Sequence, residues 1–118
     1  METGLLVATL VCVAINAFEV AAKAVRARFV VQNSTEVGVG PRWIPCLAIL
    51  EGAGVAGLVA GLLGWPRLGL AAAIGLTLFF IGAVGAHIRA KVFHNIAFPA
   101  VFLALAVAAT GYFTGSVA

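Results

Sequence analysis

The chain has 118 residues, of which 64% belong to the hydrophobic set and only 9% are charged, and its formal net charge is +3. A soluble core of this length could not bury so much apolar surface, so the composition indicates a membrane-spanning protein and excludes an ordinary soluble domain. The basic residues lie between apolar runs and do not alternate with aromatic residues along any segment, which argues against nucleic-acid binding.

The first apolar run, from about residue 4 to residue 22, predicts a membrane-spanning helix. At 1.5 Å per residue its length comes close to the ~30 Å hydrocarbon core of a bilayer. The acidic start Met1-Glu2 is unlike the positively charged start of a cleaved signal peptide, so we expect this helix in the mature protein. A long polar connection follows, and we interpret residues 33–35 as part of a loop.

Three further apolar runs predict helices at about residues 44–64, 68–86 and 96–115. Trp43 and Trp65 bracket the first of these at a spacing of about 33 Å of helix, as expected for aromatic residues at the two membrane interfaces. The next connection is so short that the helices it joins must be antiparallel neighbours. We therefore predict an all-α fold, a single transmembrane domain over residues 1–118 that forms an antiparallel bundle of four transmembrane helices.

Basic residues are distributed unevenly between the connections. Arg67 alone lies in the second connection, whereas the first and third connections contain all the others. Because lysine and arginine accumulate on the cytoplasmic side of membrane proteins, we expect these two connections in the cytoplasm and both termini outside it. The basic residues of the first and third connections are Lys23, Arg26, Arg28, Arg42, Arg89 and Lys91.

The two cysteines and the small residues are less informative. Cys12 and Cys46 are expected at different depths, which argues against a disulfide, and no Cys/His spacing is typical of a metal or haem site. Gly57 and Gly61 have the four-residue spacing that lets helices approach closely in lipid, but this pattern is common in glycine-rich helices and does not single out a dimer.

One carboxylate, Glu51, lies inside the second apolar run. An acid in hydrocarbon is costly unless it is neutralised or paired, so such a residue usually belongs to a site or has a partner. Ala48 and Gly54, one turn away, are small and would let another helix come close. We therefore expect Glu51 to face the interior of the bundle, towards the first helix.

Other polar residues are expected at the same end of the bundle. Asn16, Glu19 and Lys23 share one face of the first helix because they are three and four residues apart, and His87 ends the third helix near the same rim. The candidate ligand-binding residues are Asn16, Glu19, Lys23, Glu51 and His87, and Glu51 and His87 are also the candidate catalytic residues. His94 is interpreted as part of a connection.

The helical rise places Glu51 about 10 Å from the cytoplasmic end of its helix, while Lys23 can extend towards water. On this geometry Lys23 pairs with Glu19 and does not reach Glu51, and we expect Glu51 to be protonated near neutral pH. Two simpler interpretations stay open. Glu19 and Lys23 can form a purely interfacial pair, and His87 can be a helix-end residue that faces solvent.

Several motifs resemble the DoxX-like family of small four-helix membrane proteins. They are Phe18 with Lys23 at the close of the first helix, the acid-small pattern at residues 50–54, the turn at residues 65–69 before an alanine-rich helix start, and residues 82–84 before His87. The resemblance extends from about residue 10 to residue 110. It implies a four-helix bundle in a bacterial cell membrane.

For some family members the resemblance also implies association with membrane redox systems, such as thiosulfate:quinone oxidoreduction or oxidant defence. We therefore expect an accessory subunit or a binder of a lipophilic, quinone-like molecule, with the bilayer and a redox partner or a second copy as its partners. The alternative is a cofactor-independent membrane enzyme or carrier, in which Glu51 and His87 act as acid and base on a hydrophobic molecule. The residues do not decide whether the chain is an enzyme.

Overall fold

The structure is a computed structural model that describes residues 2–118. Four of its helices are long and apolar enough to cross a membrane, which confirms the predicted all-α, four-span architecture. The helices are α1 (Glu2–Ala24), α2 (Arg28–Glu36), α3 (Ile44–Leu62), α4 (Pro66–Arg89) and α5 (Ala97–Val117), with a short 3-10 helix at Pro41–Trp43.

The four long helices form a ring. Helix α1 packs against α3 and α5, and α4 packs against the same two helices, so α1 and α4 are diagonal to each other. The molecule measures 40 × 25 × 18 Å, and its long dimension is sufficient to cross the ~30 Å hydrocarbon core. Cys12 is buried in the core between these helices, Cys46 is exposed, and both thiols are free in the described chain.

Helix α2 lies in the first connection, where the prediction of a loop at residues 33–35 is wrong. A nine-residue helix is too short to be stable alone, so its stability must come from tertiary contacts. Val30 provides them by burying its side chain against Ala22 of α1 and Ile44 of α3. The ring of Phe29 also stacks on Phe18 of α1, with centroids 6.3 Å apart.

The helix ends differ from the predicted bounds for local reasons. Helix α3 ends at Leu62 because Gly64 has a φ of +122°, a conformation that glycine adopts without steric cost. Helix α4 starts at Pro66, since proline suits a first helical position where no amide hydrogen is needed. Helix α4 also continues past the predicted end to Arg89 and therefore includes His87.

The half of the bundle next to the α3–α4 turn is tightly packed through glycine. A Cβ atom on Gly61 would lie 2.5 Å from the Cα of Gly69 and 2.7 Å from the ring of Phe113. A Cβ on Gly57 would lie 2.5 Å from the Cβ of Ala72. Gly57 and Gly61 therefore bring α3 against α4 within one chain, and Phe113 fills the space beside them.

Candidate functional site

The other half of the bundle, at the ends of α1 and α4 and the starts of α3 and α5, contains a cavity of about 350 Å³. All four long helices contribute to its wall, and α2 lies over it. The wall is mainly apolar. Its aromatic residues are Phe29, Phe79, Phe80, Phe98 and Phe102.

Glu51 lines this cavity and has no solvent-exposed surface. The Nζ atom of Lys23 donates a hydrogen bond to Glu51 Oε1 at 2.6 Å, which joins α1 to α3. The prediction that Glu51 faces the bundle interior towards the first helix is therefore confirmed.

The prediction that Lys23 does not reach Glu51 is wrong. The helical rise gives the depth of each Cα but ignores the long lysine side chain, which here turns into the bundle instead of towards water. Lys23 also contacts Glu19 Oε2 at 3.4 Å, so a single ammonium group lies between two carboxylates. Attraction to two acids explains the inward orientation, and Glu51 is therefore not an unpaired acid.

The second oxygen of Glu51 is not satisfied by the protein. Oε2 is buried and has no hydrogen-bond partner among residues 2–118. A buried acceptor without a partner costs about 1 to 3 kcal/mol, so such an atom beside a cavity indicates where a ligand can form a hydrogen bond.

His87 is buried, and it lines the same cavity from α4. Its Nδ1 lies 2.9 Å from the carbonyl oxygen of Ala83, one turn earlier. Because a carbonyl oxygen can only accept, Nδ1 carries the hydrogen, and Nε2 of the neutral ring is an acceptor. The structure thus brings His87 to the site and does not leave it as a solvent-facing helix end.

Asn16 does not line the cavity, unlike the other four candidate ligand-binding residues. It is fully buried on α1, where its amide nitrogen donates to the Cys12 carbonyl at 2.8 Å and contacts Cys12 Sγ at 3.4 Å. The side-chain amide nitrogen of Asn16 therefore donates its hydrogen bonds within α1. The structure groups Glu19, Lys23, Glu51 and His87, and it leaves Asn16 in the neighbouring core.

Polar residues outside the set of candidate site residues form contacts beside the cavity, and of these Asn33 and Asn95 line it. Asn95 Nδ2 donates to Asn33 Oδ1 at 3.3 Å, and His94 Nε2 lies 3.2 Å from Glu36 Oε1. These contacts join α2 to the segment before α5. The mixture of apolar and polar residues over residues 28–36 was the only sequence signal that α2 packs here.

The site therefore combines polar side chains from several helices with a mainly apolar lining. With Lys23 protonated and both acids ionised, Lys23, Glu19 and Glu51 together carry one net negative charge. The chemistry available is hydrogen bonding and proton exchange with the polar head of a molecule whose remaining part is apolar.

A bundle of four membrane-spanning helices around such a cavity defines a small polytopic membrane protein with an internal cavity. The family model of the DoxX-like family matches residues 7–109, and the chain belongs to this family. The resemblance inferred from the motifs is confirmed. No curated protein and no solved structure matches the chain.

Proposed function

We propose that this protein binds a lipophilic small molecule with a polar head, of the quinone type, in the cavity at the α2 end of the bundle. The observation that carries the proposal is that Lys23, Glu51 and His87 all line a mainly apolar cavity. Within a membrane protein, buried ionisable residues beside a cavity mark ligand or proton sites far more often than structural positions.

The size and position of the cavity support a ligand of this kind. Its volume of about 350 Å³ lies in the range of small-molecule sites. Gly82 of α4 and Phe98 of α5 line the cavity and are also exposed on the outside of the bundle. A polar head can therefore reach Lys23 and Glu51 while an apolar tail leaves between α4 and α5 towards the acyl chains.

Narrowing the cavity tests the proposal. A Cβ at Gly82 meets no atom within 4 Å, so Gly82→Leu has space at its Cβ and adds a side chain at a residue that lines the cavity. Gly75→Leu is the matched control, because Gly75 is also an exposed glycine of α4 with open space but does not line the cavity. Both variants gain helix propensity by the same amount.

The measurement is thermal unfolding of the purified full chain in detergent, with and without decylubiquinone. A ligand that binds the folded state stabilises it by about 1.4 kcal/mol when its free concentration is tenfold above Kd. We expect decylubiquinone to raise the Tm of the wild type and of Gly75→Leu, and to leave the Tm of Gly82→Leu unchanged. An equal shift in all three proteins would show that the cavity is not the binding site.

A second function is favoured by one specific observation, namely that Glu51 and His87 line the same cavity. A carboxylate with an unpartnered oxygen and an imidazole with an acceptor nitrogen could serve as acid and base on a hydrophobic substrate. Purification of the protein from its native membrane distinguishes the two functions. A redox partner that copurifies in fixed stoichiometry supports an accessory subunit, and turnover of a hydrophobic substrate by the isolated chain supports an enzyme or carrier.

We also propose that both termini lie outside the cytoplasm, so that the cavity is in the cytoplasmic half of the bilayer. The unequal distribution of basic residues supports this orientation, because Arg67 is the only one in the α3–α4 turn. The measurement is labelling of single cysteines at residues 30–40 in intact cells with a membrane-impermeant thiol reagent. Labelling from the outside would reverse the proposed orientation.

A further inference from the structure

Two residues that line the cavity, Glu51 and His87, carry hydrogen-bond acceptors. Glu51 Oε2 is a buried acceptor without a partner among the described residues. His87 adds a second acceptor, Nε2, because its Nδ1 hydrogen is given to the Ala83 carbonyl. Both groups lie in the wall of the proposed binding site, so the polarity of that wall bears on which head groups it selects.

Few donors of the residues that line the cavity are free, and Lys23 keeps one. Of the three hydrogens on Lys23 Nζ, one is directed to Glu51 Oε1 and one to Glu19 Oε2. The side-chain amides of Asn33 and Asn95 bond to each other, and either can present its oxygen or its nitrogen by rotating, so they set no preference. With two acids and one ammonium group, the local charge also favours a head group that brings hydrogens.

We infer that the cavity selects a lipophilic molecule whose head group donates hydrogen bonds through a hydroxyl, such as a hydroquinone or a phenol, over an equally shaped molecule that only accepts. This inference rests on the proposed function and refines it by naming the ligand class. A hydroquinone hydroxyl can donate to Glu51 Oε2 or His87 Nε2, whereas a quinone carbonyl would leave both acceptors unpaired.

The first test compares two ligands that differ only in the hydroxyl hydrogens. Decylubiquinol and decylubiquinone are titrated anaerobically into the purified wild-type chain in lipid nanodiscs, and empty nanodiscs correct for partitioning into lipid. Satisfying a buried acceptor is worth about tenfold in affinity. We expect decylubiquinol to bind about tenfold more tightly than decylubiquinone, and equal affinity or tighter binding of decylubiquinone overturns the inference.

A second ligand pair separates hydrogen-bond donation from redox state. The redox-inert 4-decylphenol has one donor, and its methyl ether 4-decylanisole has none. The inference requires the phenol to bind more tightly than the ether. A preference that appears in the quinol pair alone would mean that reduction, and not the donated hydrogen, is recognised, and the inference would be wrong.

Glu51→Gln gives the residue-level test. The amide oxygen of the glutamine would accept from Lys23, and the amide nitrogen, which is a donor, would take the position of Oε2. We expect the ratio of quinol to quinone affinity to fall to one or to invert. Glu2→Gln, the same change at the start of α1 and at the opposite end of the helix from the cavity, keeps the wild-type ratio.

Failure of the proposed function can be distinguished from failure of the inferred selectivity. If neither member of either ligand pair binds the wild type, the proposed function fails. If both members of each pair bind with the same affinity, the proposed function stands and the inferred selectivity fails. The wild-type comparisons decide the question even if Glu51→Gln does not fold.

Discussion

The two halves of this bundle are packed in opposite ways. Near the α3–α4 turn, Gly57, Gly61 and Gly69 remove side chains so that α3 and α4 come into close contact. Near α2, the same helices carry Glu51, His87 and several phenylalanines, and a cavity remains between them. One pair of helices thus supplies both a close backbone contact and part of the wall of the cavity.

This difference separates the residues that hold the helices together from those that line the proposed ligand site. In lipid there is little hydrophobic driving force between helices, so close packing of small residues provides much of the association energy. The glycine half can hold the helices together while the α2 half keeps space for a ligand. The Lys23–Glu51 contact is the exception, because it joins α1 to α3 inside the open half.

Removing the cation of this pair should have the largest effect on stability. Lys23→Met leaves Glu51 buried without a counterion, and breaking a buried ion pair in this way costs about 3 to 5 kcal/mol. We expect this loss in the free energy of unfolding in detergent. Lys91→Met removes a lysine from an exposed position, and such a change stays within about 0.5 kcal/mol.

Removing both partners should restore much of the loss, because a buried ion pair can often be replaced by apolar residues at little cost. We therefore expect Lys23→Met combined with Glu51→Leu to be more stable than Lys23→Met alone. Infrared spectra provide an independent check, since the ion pair requires a Glu51 carboxylate band at pH 7 that is absent from Glu51→Gln. A protonated carboxyl band in the wild type at that pH would contradict the ion pair.

The second-largest loss of stability should come from a substitution in the half of the bundle next to the α3–α4 turn, where glycines bring α3 against α4. In Gly61→Leu the new Cβ would meet backbone of α4 at 2.5 Å, and backbone cannot move aside as a flexible side chain can. Overpacking of this kind costs about 1 to 3 kcal/mol in the free energy of unfolding. Gly82→Leu, in the open half, and Gly75→Leu should cost much less. Equal losses in all three would remove the distinction between the two halves.

The smallest effect is expected at the polar contact between α4 and α5. Thr77 Oγ1 and Thr110 Oγ1 are 3.3 Å apart, but each hydroxyl already donates its single hydrogen to the carbonyl four residues earlier. Thr110→Val should therefore change the free energy of unfolding by no more than about 0.6 kcal/mol. Thr114→Val, at an exposed hydroxyl of α5, is the matched control, and a much larger loss at Thr110 would show that the Thr77 contact stabilises the bundle.

Hydropathy was sufficient to predict the four spans, because residues that must face lipid leave long apolar runs in the sequence. It could not predict α2, whose stability depends on Val30 meeting residues from α1 and α3. The interior position of Glu51 followed from the cost of burying an acid. Its contact with Lys23 did not follow, since residue spacing gives the depth of a Cα but not the direction of a long side chain.

The order in which contacts can form during assembly follows from the ring arrangement. The α3–α4 contact joins helices separated by a turn of three residues, so it closes a short loop at little entropic cost. The α1–α5 contact joins the two ends of the chain and closes the longest loop. The cavity needs wall residues from α1, α3, α4 and α5 together, so a nascent chain that lacks α5 has no complete site. The proposed ligand binding therefore requires the closed ring, and no helical hairpin cut from this protein should show it.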